Sequence, residues 1–153
     1  RGIPAIFIDP KTYASTEEYD GAVLDVLKTH AVELVVLAGY MKIVSSVLIE
    51  AYRNRMMNIH PSLLPAFSGL HAQRQALERG VKVSGCTVHF VVEEVDAGPV
   101  IMQAAVPVEE YDTEESLSAR ILEKEHQIFP KALQLYSDGR LQVIGCRVVI
   151  AEG

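Results

Sequence analysis

Short apolar runs alternate with amphipathic stretches along most of the chain, and the two periods define the expected elements. Ile3 to Ile8 is an apolar run closed by Asp9-Pro10 and reads as a buried strand. Ser15-Thr16-Glu17-Glu18 has capping-box spacing, and Tyr19, Ala22, Val23, Val26 and Leu27 then recur at helical intervals up to His30. Leu34 to Leu37 is a continuous apolar run ended by Ala38-Gly39, the pattern of a strand covered on both faces. Ser45 or Ser46 can cap a helix through Tyr52, Met56 to His60 reads as a strand stopped by Pro61, and Ala72 to Arg79 as a short helix ended by Gly80. Val83 to Val92 and Val100 to Val108 read as a hairpin around Asp96-Ala97-Gly98-Pro99. Thr113 opens the longest helix, with Leu117, Ile121, Ile128, Ala132 and Leu135 on its core face and Pro130 expected to bend or interrupt it. Leu141 to Ile150 is a last strand-like run. This order predicts an open α/β sheet with an antiparallel portion.

At 153 residues the chain has the length of one domain, and its 49% hydrophobic and 22% charged composition excludes a disordered or low-complexity class. The net charge of −6 argues against a nucleic-acid footprint. Two cysteines, Cys86 and Cys146, without metal-ligand spacing argue against a disulfide framework or structural zinc and for a reducing cytoplasm. No apolar run reaches the roughly 18 to 20 residues of a membrane span. No nucleic acid, membrane or structural-metal partner is therefore expected, and composition leaves monomer or homodimer open.

Ligands of open α/β sheets bind outside the carboxyl ends of the parallel strands, which directs attention to Gly39-Tyr40-Met41 and Asn58-Ile59-His60. Alternation puts Asn58 and His60 on one side of their strand. An amide offers uncharged N–H donors to a developing oxyanion, and imidazole can give or take a proton near neutrality. The same pattern also suits a satisfied histidine beside a turn-forming Asn, and spacing does not choose. Asp96 near His60 would favour the imidazolium, yet Asp-Ala-Gly-Pro is also ordinary turn chemistry. No Gly-x-Ser-x-Gly elbow or activated cysteine supports a covalent nucleophile, and Cys86, alternating with Val88 and Phe90, reads as core.

The run Asn58-Ile59-His60-Pro61-Ser62-Leu63-Leu64-Pro65, followed by Gly69-Leu70-His71, Gly85-Cys86-Thr87-Val88-His89-Phe90-Val91 and Val95-Asp96-Ala97-Gly98-Pro99, resembles the folate-dependent formyltransferases. The resemblance runs from Ile3 to about Leu141 and implies a Rossmann-like formyltransferase fold, a mostly parallel sheet with an antiparallel C-terminal portion. It implies formyl transfer from 10-formyltetrahydrofolate to the amine of glycinamide ribonucleotide in purine biosynthesis, without a metal. Catalysis would fall to Asn58, which binds the formyl oxygen, His60, which donates a proton, and Asp96, which supports protonated His60. The folate would lie against Met41, Lys42, Ile43, Val44 and Asn58 and the loop Val92, Glu93, Glu94, Val95 and Asp96; the ribonucleotide would meet Leu122, Glu123, Lys124 and Glu125. His71 and His89 would support or pack, and Leu64-Pro65 is a cis candidate by the same resemblance.

Three departures stand out. The family's first strand and Gly-rich phosphate loop have no counterpart before Ile3, so the chain reads as a single domain lacking about fifty N-terminal residues. Lys42 stands where the family often has Arg, and Thr16 where some relatives do. Competing readings are a formyltetrahydrofolate deformylase, which tends to carry His in place of Pro61 and to lack Gly-Leu-His, and a folate-binding fragment without turnover.

Overall fold

The computed structural model describes residues 2–152. Helix α1 (Thr16–Thr29) starts where expected: the Ser15 hydroxyl accepts the Glu18 N–H, and the Glu18 carboxylate reaches back to the N–H of Ala14. Strand β1 (Val35–Leu37), helix α2 (Ser46–Ala51), strand β2 (Met56–His60) and helix α3 (Ala72–Arg79) follow, the last ended by Gly80 in the left-handed region. The hairpin is strands β3 (Val83–Phe90) and β4 (Val100–Pro107), and helix α4 (Glu114–Ser137) packs against both. No helix among the described residues is long and apolar enough to cross a membrane.

Two expected elements take another form. Ile3 to Ile8 forms no strand, and Ile3, Ile6 and Phe7 stay exposed. A strand needs a neighbour for its backbone N–H and C=O groups, and none of the described residues pairs with this run. Leu141 to Ile150 folds back on itself as strands β5 (Leu141–Ile144) and β6 (Arg147–Ile150), because Gly145, at φ +61°, turns the chain between them. Pro130 does not interrupt α4. It lies on the exposed side of the helix, where water can satisfy the carbonyl of His126 that its missing N–H leaves free, while Ile128 and Ala132 anchor the flanking turns.

The sheet is open and mixed, in the order β1-β2-β3-β4-β6-β5. Parallel pairing joins β1 to β2 and, at Val100 opposite Arg147, β4 to β6; the other three pairings are antiparallel, because the β3–β4 hairpin also meets β2 head to tail. Alternation sorts the side chains into two clusters. Met57, Cys86, Val88 and Phe90 face the α4 residues Leu117, Ile121, Ile128 and Ala132, whereas Met56 and Val35 face Leu48 and Tyr52 of the α2 region with Leu24 and Leu27 of α1. The predicted core face of α4 is the buried one at all five positions. Its start is fixed by a Thr113/Ser116 capping box and by Arg120, which grips Asp112 at 2.6 and 2.8 Å and donates to the Pro107 carbonyl. The Arg120 guanidinium holds the Asp112 carboxyl well below the usual carboxylate range.

Two glycines separate two kinds of constraint. A Cβ on Gly98 would stand 1.7 Å from the Phe90 carbonyl oxygen, while one on Gly21, inside α1, would meet nothing within 4 Å. Gly98→Ala should therefore destabilise the fold, and Gly21→Ala should stabilise it by about 1 kcal/mol through helix propensity. Urea denaturation checks both; a neutral Gly98→Ala would show that the hairpin can open there without cost.

Candidate active site

The C-terminal end of β2 carries Asn58 and His60 on one face, and the β2/β3 register places His89 opposite Asn58 and Thr87 opposite His60. Gln103 pairs with Thr87 from β4, so one face of three adjacent strands is polar while the other is the apolar floor under α4. The connection from β3 to β4 then brings Asp96 back over this face, with Asp96 itself at φ +57°.

The resulting contacts are specific. His60 Nε2–H donates to the Phe67 carbonyl at 2.8 Å, and His60 Nδ1 lies 3.4 Å from Asp96 Oδ2, the two side chains being 8% and 9% exposed. Both ring nitrogens thus face acceptors. Asp96 Oδ2 also accepts the Gly69 N–H at 2.7 Å.

His89 behaves differently. Its Nδ1–H donates to the Phe90 carbonyl at 2.9 Å, which leaves Nε2 to accept one N–H of Asn58 Nδ2 at 3.3 Å. Burial pushes His89 below the ordinary histidine value, outweighing the Phe90 bond and the charge of Asp96. The neutral ring thus fixes which way the Asn58 amide points and leaves a second N–H of that amide uncommitted.

A loop of residues 61–71 encloses the pair. Thr87 Oγ1 donates to the Ser62 carbonyl at 2.7 Å and accepts the Leu64 N–H at 3.0 Å, Gln103 Nε2 donates to the Leu64 carbonyl at 2.9 Å, and Leu64–Pro65 is cis.

Beside this cluster opens a cavity of about 840 Å³. Its lining includes Asn58, His60 and Asp96, the segment Met41 to Val44, Val92, Glu93 and Val95, and Leu122 and Glu125 of α4. Of the residues expected at the site, Glu94, Glu123 and Lys124 lie outside this lining. Met41 and Ile43 are strongly exposed at the mouth, and the Lys42 ammonium sits 4.8 Å over the Tyr19 ring. Burial raises Glu125 above the usual carboxylate value, against the opposing pull of His126 and His60. Burial also pushes the Cys86 thiol up to about 11, which leaves it un-ionised and unsuited to nucleophilic attack at neutral pH.

The lining also holds residues that the sequence did not single out, among them Gln73, Glu114 and Ser118. His89 had only a supporting or packing role in prospect; its alignment with Asn58 depends on strand register, which no local pattern displays. Chemically, the arrangement offers an amide N–H, an imidazole and a carboxylate side by side at the wall of an apolar cleft of cofactor size.

The chain has extensive matches among known proteins. Residues 1–133 match the formyl transferase family. The trifunctional purine biosynthetic protein adenosine-3 of Gallus gallus is 54% identical over 142 residues, covering 93% of this chain and 14% of that protein. The phosphoribosylglycinamide formyltransferase of Bacillus subtilis is 44% identical over 86% of the chain and 68% of its own length. The crystal structure of glycinamide ribonucleotide transformylase 1 from Symbiobacterium toebii superposes with a TM-score of 0.93 at 56% identity, covering 95% of this chain and 68% of that one.

The neutral His89 has a measurable signature. The unfolded chain takes up a proton at the ordinary histidine value near 6.5, which the buried ring resists. The stability attached to His89 is therefore whole above that pH and is lost as pH falls below it. His89→Gln should lose less stability than the wild type between pH 7.5 and 5.5 in urea denaturation; equal losses would show that His89 is not held neutral.

Proposed function

The chain belongs to the formyl transferase family, and from that premise we propose that it moves a formyl group from 10-formyltetrahydrofolate to the amine of glycinamide ribonucleotide, a step of purine biosynthesis. The observation that carries this reading is the placement of Asn58, His60 and Asp96 together at the cavity wall, with the His60 and Asp96 side chains 3.4 Å apart. The amine attacks the formyl carbon, and the carbonyl oxygen becomes an oxyanion. The uncommitted N–H of Asn58 donates to that charge, and protonated His60, supported by Asp96, stabilises it with its positive charge. As the intermediate collapses, the C–N10 bond breaks, N10 gains one proton and the new formamide nitrogen loses one. The products are tetrahydrofolate and the N-formyl ribonucleotide.

The cavity suits two ligands of this kind. Met41, Ile43, Val44, Val92 and Val95 offer apolar walls to a flat pterin. Lys42 supplies a point charge for the carboxylate tail of the folate, without the bidentate grip of an Arg. Leu122 and Glu125 of α4 face the ribonucleotide side. Both cysteines are free, Cys86 buried and Cys146 exposed, which suits a reducing cytoplasm.

An assay of 10-formyltetrahydrofolate consumption with and without glycinamide ribonucleotide tests the reading. Turnover should require the ribonucleotide, and consumption by water alone would identify a hydrolase instead. Asn58→Ala should lower kcat about 10² to 10³-fold, or about 2.7–4 kcal/mol of transition-state stabilisation, the effect of removing one oxyanion donor. Asp96→Ala should also lower turnover by orders of magnitude; wild-type rates in either variant would remove that residue from the mechanism.

A further inference from the structure

The contacts of the 61–71 loop divide into two halves that are braced differently. Residues 62–64 are held by Thr87 and Gln103 of the sheet. Residues 67–71 contain Phe67 at φ +55°, Gly69 at φ +77° and His71 at φ +58°, left-handed backbone that Phe and His disfavour. This second half nonetheless carries the groups that meet the catalytic pair, the Phe67 carbonyl on His60 and the Gly69 N–H on Asp96. A conformation of this kind persists only where its surroundings over-determine it.

Gln75 supplies the brace. From the first turn of α3, its Nε2 donates to the Ser68 carbonyl at 3.2 Å and to the Leu70 carbonyl at 3.0 Å, the carbonyls of the two residues that flank Gly69. Both contacts are carbonyl oxygens, so the amide must present its NH₂ group. Gln75 is half-buried and does not line the cavity, so it has no path to a ligand. We propose that Gln75 is a positioning residue for the reaction, pinning the turn around Gly69 so that its N–H holds the Asp96 carboxylate against His60. The proposal rests on the formyl-transfer reading for its kinetic consequence, while its structural part stands independently.

The test replaces Gln75 by Met in the whole 153-residue chain, removing both donors at nearly constant size. Backbone amide exchange followed by NMR should show Gly69 exchanging at least about tenfold faster, with the amides of Leu117 and Ile121 in the core unchanged. In the formyl-transfer assay kcat should fall about tenfold or more while KM for the folate stays within about twofold, because the lost brace acts on Asp96 and not on binding. Gln142→Met, on an exposed position of β5, serves as the control that leaves both readouts at wild-type values. Where Gln75→Met does not fold, Gln75→Glu keeps the shape, removes the donors and carries the same measurements. Gly69 exchange within about twofold of wild type, a parallel loosening of Gly69 with the core amides, or an unchanged kcat would each overturn the proposal. Absence of formyl transfer by the wild type would instead defeat the functional reading, and the exchange experiment would then decide the positioning role alone.

Discussion

The antiparallel register of β2 on β3 is the constraint from which the site follows. It sets Asn58 opposite His89 and His60 opposite Thr87, and so gathers four polar side chains on one face of two strands. A slip of β2 by one residue would turn Asn58 and His60 toward Leu117 and Ile121 and bring Met57 out in their place. The apolar packing of α4 therefore specifies the polar face as firmly as it specifies its own. Gly98 extends the same constraint into the connection, since its missing Cβ lets the chain pass close to the Phe90 carbonyl on its return from Asp96.

Burying so many polar groups is tolerable because nearly all are paired. Thr87 both donates and accepts, Ser62 donates to the Ala66 carbonyl, and Gln103 reaches Leu64 and Thr87. Among the described residues, the buried side-chain atoms left without a partner are the hydroxyls of Ser45 and Ser84, neither of which lines the cavity. Orienting the donors costs nothing further at the moment of reaction, because neighbours have already fixed them. The two histidines are neighbours held by different partners. His60 faces acceptors at both nitrogens, whereas His89 spends one nitrogen on a backbone carbonyl and the other on an incoming N–H.

Much of this was legible along the chain, and the reasons are local. β2, α3 and the core face of α4 follow from turn residues and periodicity that act within a few positions, and they stand where those signals put them. The Ile3 to Ile8 run failed because strand formation is a property of pairs, and its apolar pattern says nothing about whether a neighbour exists. The last run failed for the opposite reason, one glycine dividing what hydropathy joins. At the site, alternation placed Asn58 beside His60, but no spacing linked His60 to Asp96; that link entered by resemblance and is seen in the structure as a 3.4 Å contact. Gln75 left no mark in the sequence at all, since a helix-surface Gln acquires its role only from two carbonyls of a neighbouring loop.

The charges around the cavity set the electrostatic surroundings of Asn58 and His60. Among the described residues, Lys42 is the one Lys or Arg in the lining, against the carboxylates of Glu93, Asp96, Glu114 and Glu125. Glu93 faces Arg53 and Glu114 faces Arg74, exposed pairs that cancel charge at the rim and add little stability. Glu125 is half-buried, and its own desolvation favours the neutral acid. An acidic cleft with a free carboxylate at its floor would repel a developing oxyanion. His60 and Asp96 both line the cavity 3.4 Å apart, where a proton on the ring would pair with that carboxylate. Such a pair would carry no net charge into the interior and so would avoid much of the desolvation penalty of an isolated ion.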